Sequence, residues 1–304
     1  MIALADVRAA AARIADGIRR TPLVAAPGRA GISLKLETMQ VTGSFKARGA
    51  LNAIRSLPPG RRAPGVVTAS GGNHGLAVAY AAQAAGIPAT IVLPQGVSPA
   101  KHAALARYGA RIVIHGTVWD DSNEAALALA ADGLAYLHPF ADPLVIAGQG
   151  TIALELLEDD PALDTILVAI GGGGLISGVA LAAHALKPGL RIVGIEPEGA
   201  PTLAESLRLG QPATLAHIDT MAGTLAPKST DPLPFGIVRD HVDRIVLVSD
   251  AEMRDAAIWL WREAGIAAEL SGAAAMAALL TGRYAPRPGE RVAAIICGKG
   301  TDGL

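Results

Sequence analysis

Two features of the chain carry chemistry when taken together. One is Lys46, set in Gly43-Ser44-Phe45-Lys46-Ala47-Arg48-Gly49-Ala50; the other is the run Gly171-Gly172-Gly173-Gly174, about 125 residues later. A lysine amine near the start of a helix can condense with an aldehyde to give an imine. Backbone without side chains, between a strand and a helix, offers N–H groups and the positive end of a helix dipole to a phosphate. A cofactor that needs an amine for its aldehyde and a cradle for its phosphate is pyridoxal 5'-phosphate (PLP). Rival phosphate loops do not fit. A dinucleotide fingerprint begun at Gly171 or Gly172 meets Ile176 or Ser177 where its third glycine belongs. The pair Gly298-Lys299 is followed by Gly300, not by the Ser or Thr of a Walker loop.

Ala69-Ser70-Gly71-Gly72-Asn73-His74-Gly75 lies at a second strand-to-helix junction, where free amides and short polar side chains suit a carboxylate. Read singly, Asn73 is better taken as a helix cap and His74 as a packed or capping histidine. Lys46 alone reads as a solvated helix lysine; its glycine-flanked setting, with Phe45 available to pack on a ring, singles it out. Cys297 reads first as a buried core cysteine. Gly298, Gly300 and Gly303 nevertheless place a loop after it at a strand's C-terminal end, where α/β sheets collect ligands.

The elements that must position these residues alternate along the chain. A first helix shows an apolar face of Leu4, Val7, Ala11, Ile14 and Ile18. β-Branched runs follow at 65–68, 89–93, 111–114, 165–168, 191–195, 244–248 and 293–296. Alanine-rich segments long enough for crossover helices separate most of them, among them 73–85 and 175–186. This pattern predicts an α/β fold with parallel-rich twisted sheets and helices on both faces. Units with turn signals at Gly86-Ile87-Pro88, Gly109-Ala110 and Asp132-Gly133 predict a small domain over 39–137, inserted in a large one of 1–38 plus 138–304. The proline-containing segment 213–240 reads as an irregular excursion at a site rim or subunit interface.

Composition narrows the function. Lys and Arg number 26 against 27 Asp and Glu, so there is no electrostatic footprint for nucleic acid or an anionic membrane surface. The most apolar stretch, 76–93, is broken by Gln83, Gly86 and Pro88 and reads as helix, turn and strand. A single cysteine excludes an internal disulfide framework and suits a reducing cytoplasm. The start, Met1 to Asp6, lacks the basic region of a signal peptide.

Taken in order, the segments resemble the fold-type II PLP enzymes, specifically the threonine/serine dehydratase and serine racemase group. The matches are R-T-P-L at 20–23, K-L-E at 35–37, G-S-F-K-A-R-G-A at 43–50, S-G-G-N-H-G at 70–75, G-G-G-G-L at 171–175, E-P at 196–197, E-L-S-G-A at 269–273 and C-G at 297–298. They span nearly the whole chain. The resemblance implies the tryptophan synthase β-like architecture of two domains, the smaller closing on the larger, and a homodimer.

By position, the resemblance makes Lys46 the Schiff-base lysine and packs Phe45 against the pyridine ring. Asn73 would hydrogen-bond the ring hydroxyl, and Gly171, Gly172, Gly173, Gly174 and Leu175 would hold the phosphate. Ser70, Gly71, Gly72, Asn73 and His74 would embrace a substrate carboxylate, and Cys297 would face the pyridine nitrogen. The implied reaction is β-elimination from an L-threonine- or L-serine-type amino acid, giving a 2-oxo acid and ammonia. Alternatives are an amino-acid racemase, a β-eliminase for a hydroxyaspartate, an aryl-serine or a hydroxyectoine-derived compound, and a non-enzymatic ligand sensor. Racemases of the group carry a serine where this chain has Gly71. Some relatives bind a metal through positions matching Glu196, the Ala200 carbonyl and an acidic residue; Thr202 replaces the last here, so little dependence on divalent cations is expected. Gly300 stands where asparagine is common, and Leu270 where proline follows the glutamate. The chain ends at Leu304, so no C-terminal regulatory domain is expected.

Overall fold

The computed structural model describes residues 2–300; Thr301 and Gly303 of the C-terminal loop lie outside the described residues. The strands are β1 (Leu23–Ala25), β2 (Ile32–Leu36), β3 (Val66–Ala69), β4 (Ala89–Leu93), β5 (Arg111–Ile114), β6 (Ala135–Tyr136), β7 (Thr165–Ala169), β8 (Arg191–Pro197), β9 (Arg244–Val248) and β10 (Val292–Ile296). They form a six-stranded sheet in the order β1-β2-β10-β7-β8-β9 and a four-stranded sheet in the order β5-β4-β3-β6. Every pairing is parallel except β1 with β2. Each residue of the inner strands β4, β7 and β10 is buried, which is why they read as largely aliphatic runs. The edge strands β5 and β9 keep exposed or half-exposed positions.

The helices are α1 (Leu4–Ile14), α2 (Lys46–Ser56), α3 (Pro59–Arg62), α4 (Asn73–Ala85), α5 (Pro99–Ala106), α6 (Trp119–Ala131), α7 (Pro143–Asp159), α8 (Gly174–Leu186), α9 (Thr202–Leu209), α10 (Pro232–His241), α11 (Asp250–Ala264) and α12 (Leu270–Leu280). In the four-stranded sheet, Val66, Ile91 and Leu93 pack with α2 and α4, whereas Val67, Ala69 and Val92 pack with α6. Alternate residues point to opposite faces of a strand, so helices cover both faces. In the larger sheet α12 packs on β7, β8, β9 and β10, and α8, backed by α7, packs on β7. Two details depart from the sequence reading. Helix α1 buries Val7, Ala10 and Ile14 and ends before Ile18. The segment 213–240 is irregular only to Asp231; α10 then begins with Pro232 in its first turn, where a missing N–H costs nothing.

A buried ionic cluster fixes the first turn of α2. The Arg48 guanidinium donates to Glu37 through Nε and Nη2 (both 2.8 Å) and to Glu155 through Nη1 and Nη2 (2.7 and 2.9 Å). Lys35 Nζ donates to Glu155 Oε2 (2.6 Å) and the Thr21 carbonyl (2.7 Å), and the Thr21 hydroxyl donates to Glu37 (2.6 Å). Two cations thus face two carboxylates, which accounts for Thr21, Lys35, Glu37 and Arg48 in the R-T-P-L, K-L-E and F-K-A-R-G motifs without any ligand. Burial alone would raise Glu155, but Arg48 and Lys35 hold it below the usual carboxylate value. Its contribution is therefore present at neutral pH and lost as pH falls through that lowered value. Arg48→Ala leaves buried carboxylates short of a cation and is expected to cost about 3–5 kcal/mol in urea unfolding. Arg48→Lys should not restore it, because a point charge cannot bond two carboxylates in the plane of a guanidinium; full recovery by lysine would contradict this account.

Candidate active site

Lys46 is the first residue of α2, with Phe45 as its N-cap. The preceding loop is stitched to the loop after β10. Phe45 N–H donates to the Cys297 carbonyl (3.1 Å), Lys299 N–H donates to the Gly43 carbonyl (2.9 Å), and Ser44 forms an antiparallel bridge with Gly298. Two segments about 250 residues apart in sequence thereby place Lys46 beside Cys297. Lys46 Nζ donates to the Pro139 carbonyl (2.6 Å) and lies 5.2 Å from the Phe45 ring centroid. Desolvation lowers its pKa to about 8, against the opposing influence of Cys297 and Glu269. A fraction of this amine is therefore unprotonated near neutrality, the form that attacks an aldehyde.

The glycine run joins β7 to α8. Gly173 is the N-cap of α8 at φ 93°, a conformation that favours glycine. Gly174, Leu175 and Ile176 occupy the first turn, whose N–H groups have no intrahelical acceptor. A Cβ on Gly172 would lie 2.3 Å from the Phe140 ring, on Gly174 2.6 Å from the Phe140 carbonyl, and on Gly171 2.8 Å from the Thr224 carbonyl. The Thr230 hydroxyl holds the Gly172 carbonyl at 3.1 Å. Bare backbone here serves close packing below and leaves amides free above.

The loop after β3 brings Ser70, Gly71 and Gly72 to the start of α4, with Asn73 and His74 in its first turn. Asn73 Nδ2 donates to Glu269 (2.5 Å), while its Oδ1 is buried without a partner. His74 Nε2 donates to the Leu137 carbonyl (3.2 Å), so that nitrogen is not available to a ligand. Burial, with Lys46 second, drives its pKa down to about 3 and keeps it neutral. A Cβ on Gly71 would meet Leu93 at 3.2 Å and Val97 at 3.7 Å. Cys297 is buried, its thiol directed at the Ser271 carbonyl (3.5 Å). Burial, reinforced by Glu269, pushes the thiol far above its ordinary value, so it is neutral.

These groups converge on Gly298, where an added Cβ would lie 2.7 Å from Glu269, 3.2 Å from Ser44 and 3.3 Å from Asn73. Ser44 Oγ and Thr42 Oγ1 are also buried without partners. Unpaired buried polar atoms beside a desolvated lysine, next to a helix-start anion cradle, fit a polar aldehyde that carries a phosphate. Lys46, Asn73 and Cys297 are brought together directly, and the Phe140 segment joins them to Gly171–Gly174. Pro139, Phe140, Thr224 and Thr230 escape sequence reading because they act through backbone or packing. Glu269 lies in the E-L-S-G-A segment, but its partner Asn73 is 196 positions away. Lys299 is exposed, its stem against Gly43.

Glu196 is buried, and both oxygens cap α9 through the N–H groups of Leu203 (2.8 Å) and Ala204 (2.9 Å). Burial pushes its pKa up to about 7 despite those donors. The Thr202 hydroxyl donates to the Pro227 carbonyl (2.8 Å).

The chain matches the family described as pyridoxal-phosphate dependent enzyme over residues 14–298. It is 39% identical to the L-threonine ammonia-lyase of Thermotoga maritima, over 99% of this chain and 76% of that protein. It is 37% identical to the phenylserine dehydratase of Ralstonia pickettii, over 99% of this chain and 93% of that protein. Maize serine racemase superposes with a TM-score of 0.92 at 36% identity, covering 98% of this chain and 93% of that one.

Proposed function

The chain belongs to the pyridoxal-phosphate dependent enzymes, with the fold-type II architecture, and we propose that it is a dehydratase for a 3-hydroxy amino acid of the L-threonine or L-serine kind. The products are a 2-oxo acid and ammonia. The carrying observation is the desolvated Lys46 amine, held by the Pro139 carbonyl between two helix-start anion sites. One of these, Gly171–Leu175, suits the cofactor phosphate; the other, Ser70–His74, suits the substrate carboxylate. Bound PLP supplies the electron sink that makes a Cα–H bond acidic.

The protein's own groups do the rest. Backbone amides at the start of α4 would orient the carboxylate, and the Lys46 amine is the base that would take the Cα proton. Neutral Cys297 would face the ring nitrogen without the full charge of a carboxylate, which would leave the ring a moderate electron sink suited to elimination. Gly71 offers no proton on the opposite face. The body from 39 to 137 closes on the remainder over a bound substrate; its separate four-stranded sheet supports that division, while α2, packed on both α4 and α7 and sharing a core with Ile14 and Val145, joins the two bodies.

We place the enzyme in the cytoplasm as a homodimer. Among the described residues no helix is long and apolar enough to cross a membrane, the cysteine is free, and Ile258 and Trp261 expose apolar surface on α11.

A racemase is the second reading, favoured by the superposition on maize serine racemase. L-Serine and L-threonine, incubated separately, decide between them. Oxo-acid release should exceed appearance of the opposite Cα enantiomer at least about tenfold, because only one face of Cα has a base. Inversion outpacing oxo-acid release on the best substrate would transfer the assignment to a racemase.

A further inference from the structure

Between β6 and α7 the chain crosses the site as Leu137-His138-Pro139-Phe140-Ala141. Its two middle residues serve opposite halves of the cradle. The Pro139 carbonyl accepts from Lys46 Nζ (2.6 Å), and Phe140 supplies the ring and carbonyl against which Gly172 and Gly174 pack. Only its first residue is held from the small sheet and α4: the Leu137 N–H donates to the Val67 carbonyl (3.0 Å), and its own carbonyl accepts from Thr68 and His74; beyond it a side chain within the crossing takes over. His138 Nδ1 accepts from the N–H groups of Ala141 (2.9 Å) and Phe140 (3.3 Å), folding 138–141 into a turn. Its ring meets Phe140 edge to face at 4.6 Å and Tyr136 at 6.2 Å. Nε2 lies 3.7 Å from Asp231, which precedes α10 and follows Thr230, the residue that holds the Gly172 carbonyl.

We infer that His138 is a positioning residue that sets the spacing between the Lys46 amine and the glycine cradle. The inference rests on the cofactor reading given above. The ring must be neutral with its proton on Nε2, because an Nδ1 that accepts two N–H groups carries none. Burial favours that form, with Lys46 acting in the same sense and Asp231 and Asp142 in the opposite one. A turn held by two side-chain-to-backbone bonds transmits to both ends at once. Losing it would loosen the acceptor that orients Lys46 and the wall that shapes the phosphate loop.

Asparagine separates this role from simple packing. Its Oδ1 can accept from the amides two and three residues on, as in an Asx turn, while it lacks the imidazole ring. Phenylalanine does the reverse, keeping the edge-to-face contact and losing the acceptor. Two measurements are made on purified variants: amide exchange of the 138–142 peptide in cofactor-free protein, and the dissociation constant for PLP with the absorption spectrum of the bound form. His138→Asn should exchange slowly and bind within about threefold of wild type. His138→Phe and His138→Ala should exchange faster, bind at least about tenfold more weakly, and show a shifted absorption band, the scale of one or two lost hydrogen bonds. Should the alanine variant not fold, the asparagine–phenylalanine pair still decides. Wild-type binding and spectrum in His138→Phe, or an asparagine variant as impaired as phenylalanine, overturns the inference. A wild-type protein that takes up no PLP overturns instead the cofactor reading beneath it.

Discussion

Lys46→Ala is expected to give a folded protein that forms no covalent adduct with PLP and has lost at least about 10³-fold of its lyase activity. The residue is both the attachment point and the base, and each role alone accounts for losses of two to four orders of magnitude. Folding should survive, because the Lys46 amine donates to the Pro139 carbonyl and its desolvation disfavours the charge it would carry. Borohydride reduction of the wild-type holoenzyme followed by peptide mapping should find the pyridoxyl group on Lys46. A label on Lys35, Lys101, Lys187, Lys228 or Lys299 would remove the assignment; Lys35 in particular is locked against Glu155. The lowered pKa adds a pH signature with a definite sign. The neutral amine is the nucleophile, so PLP uptake by cofactor-free protein should speed up as pH rises through about 8 and level off above it. A rate that falls over that range contradicts the proposed step.

What sequence could reveal here follows from which interactions leave a local trace. Parallel strands buried on both faces are largely aliphatic, so β4, β7 and β10 are visible as such, and β8 through its Ile192, Val193 and Ile195. Strand β2 is not. Its Lys35 is wholly buried only because Glu155, 120 residues away, neutralises it, and a lysine inside a short run reads as a solvated position. Strands β1 and β6 are three and two residues long, too short for any period. Helix α10 was hidden by Pro232 and Pro234, which break a helix interior but are harmless in a first turn. In the site, Lys46 and Gly171–Gly174 stand out because chemistry and backbone conformation demand those residue types. His74 illustrates the converse. Its motif suggests a ligand contact, and its Nε2 is engaged by the Leu137 carbonyl, a partner no spacing rule could name.

Gly174→Ala is expected to weaken PLP binding about 100-fold without unfolding the protein. The new methyl would lie 2.6 Å from the Phe140 carbonyl oxygen and 2.8 Å from its Cα, both backbone atoms with no rotamer to change. Relief requires the 139–141 crossing to move by a few tenths of an ångström or more, and that crossing also carries the Pro139 acceptor of Lys46. One methyl therefore disturbs the phosphate end and the amine end together. Overpacking of this kind typically costs 1–3 kcal/mol, and about 100-fold in affinity corresponds to its upper part. Gly172→Ala should be milder although its nominal contact is shorter, 2.3 Å to the Phe140 ring, because an aromatic side chain can swing aside. Gly236→Ala, inside α10 with nothing near its added methyl, serves as the control; it should bind PLP normally and gain slightly in stability from helix propensity. Affinity for PLP is compared with affinity for pyridoxal, which lacks the phosphate. If the cradle holds that group, Gly174→Ala narrows the gap between the two ligands. A Gly174→Ala protein with wild-type affinity for PLP and an undiminished gap means that the phosphate is held elsewhere.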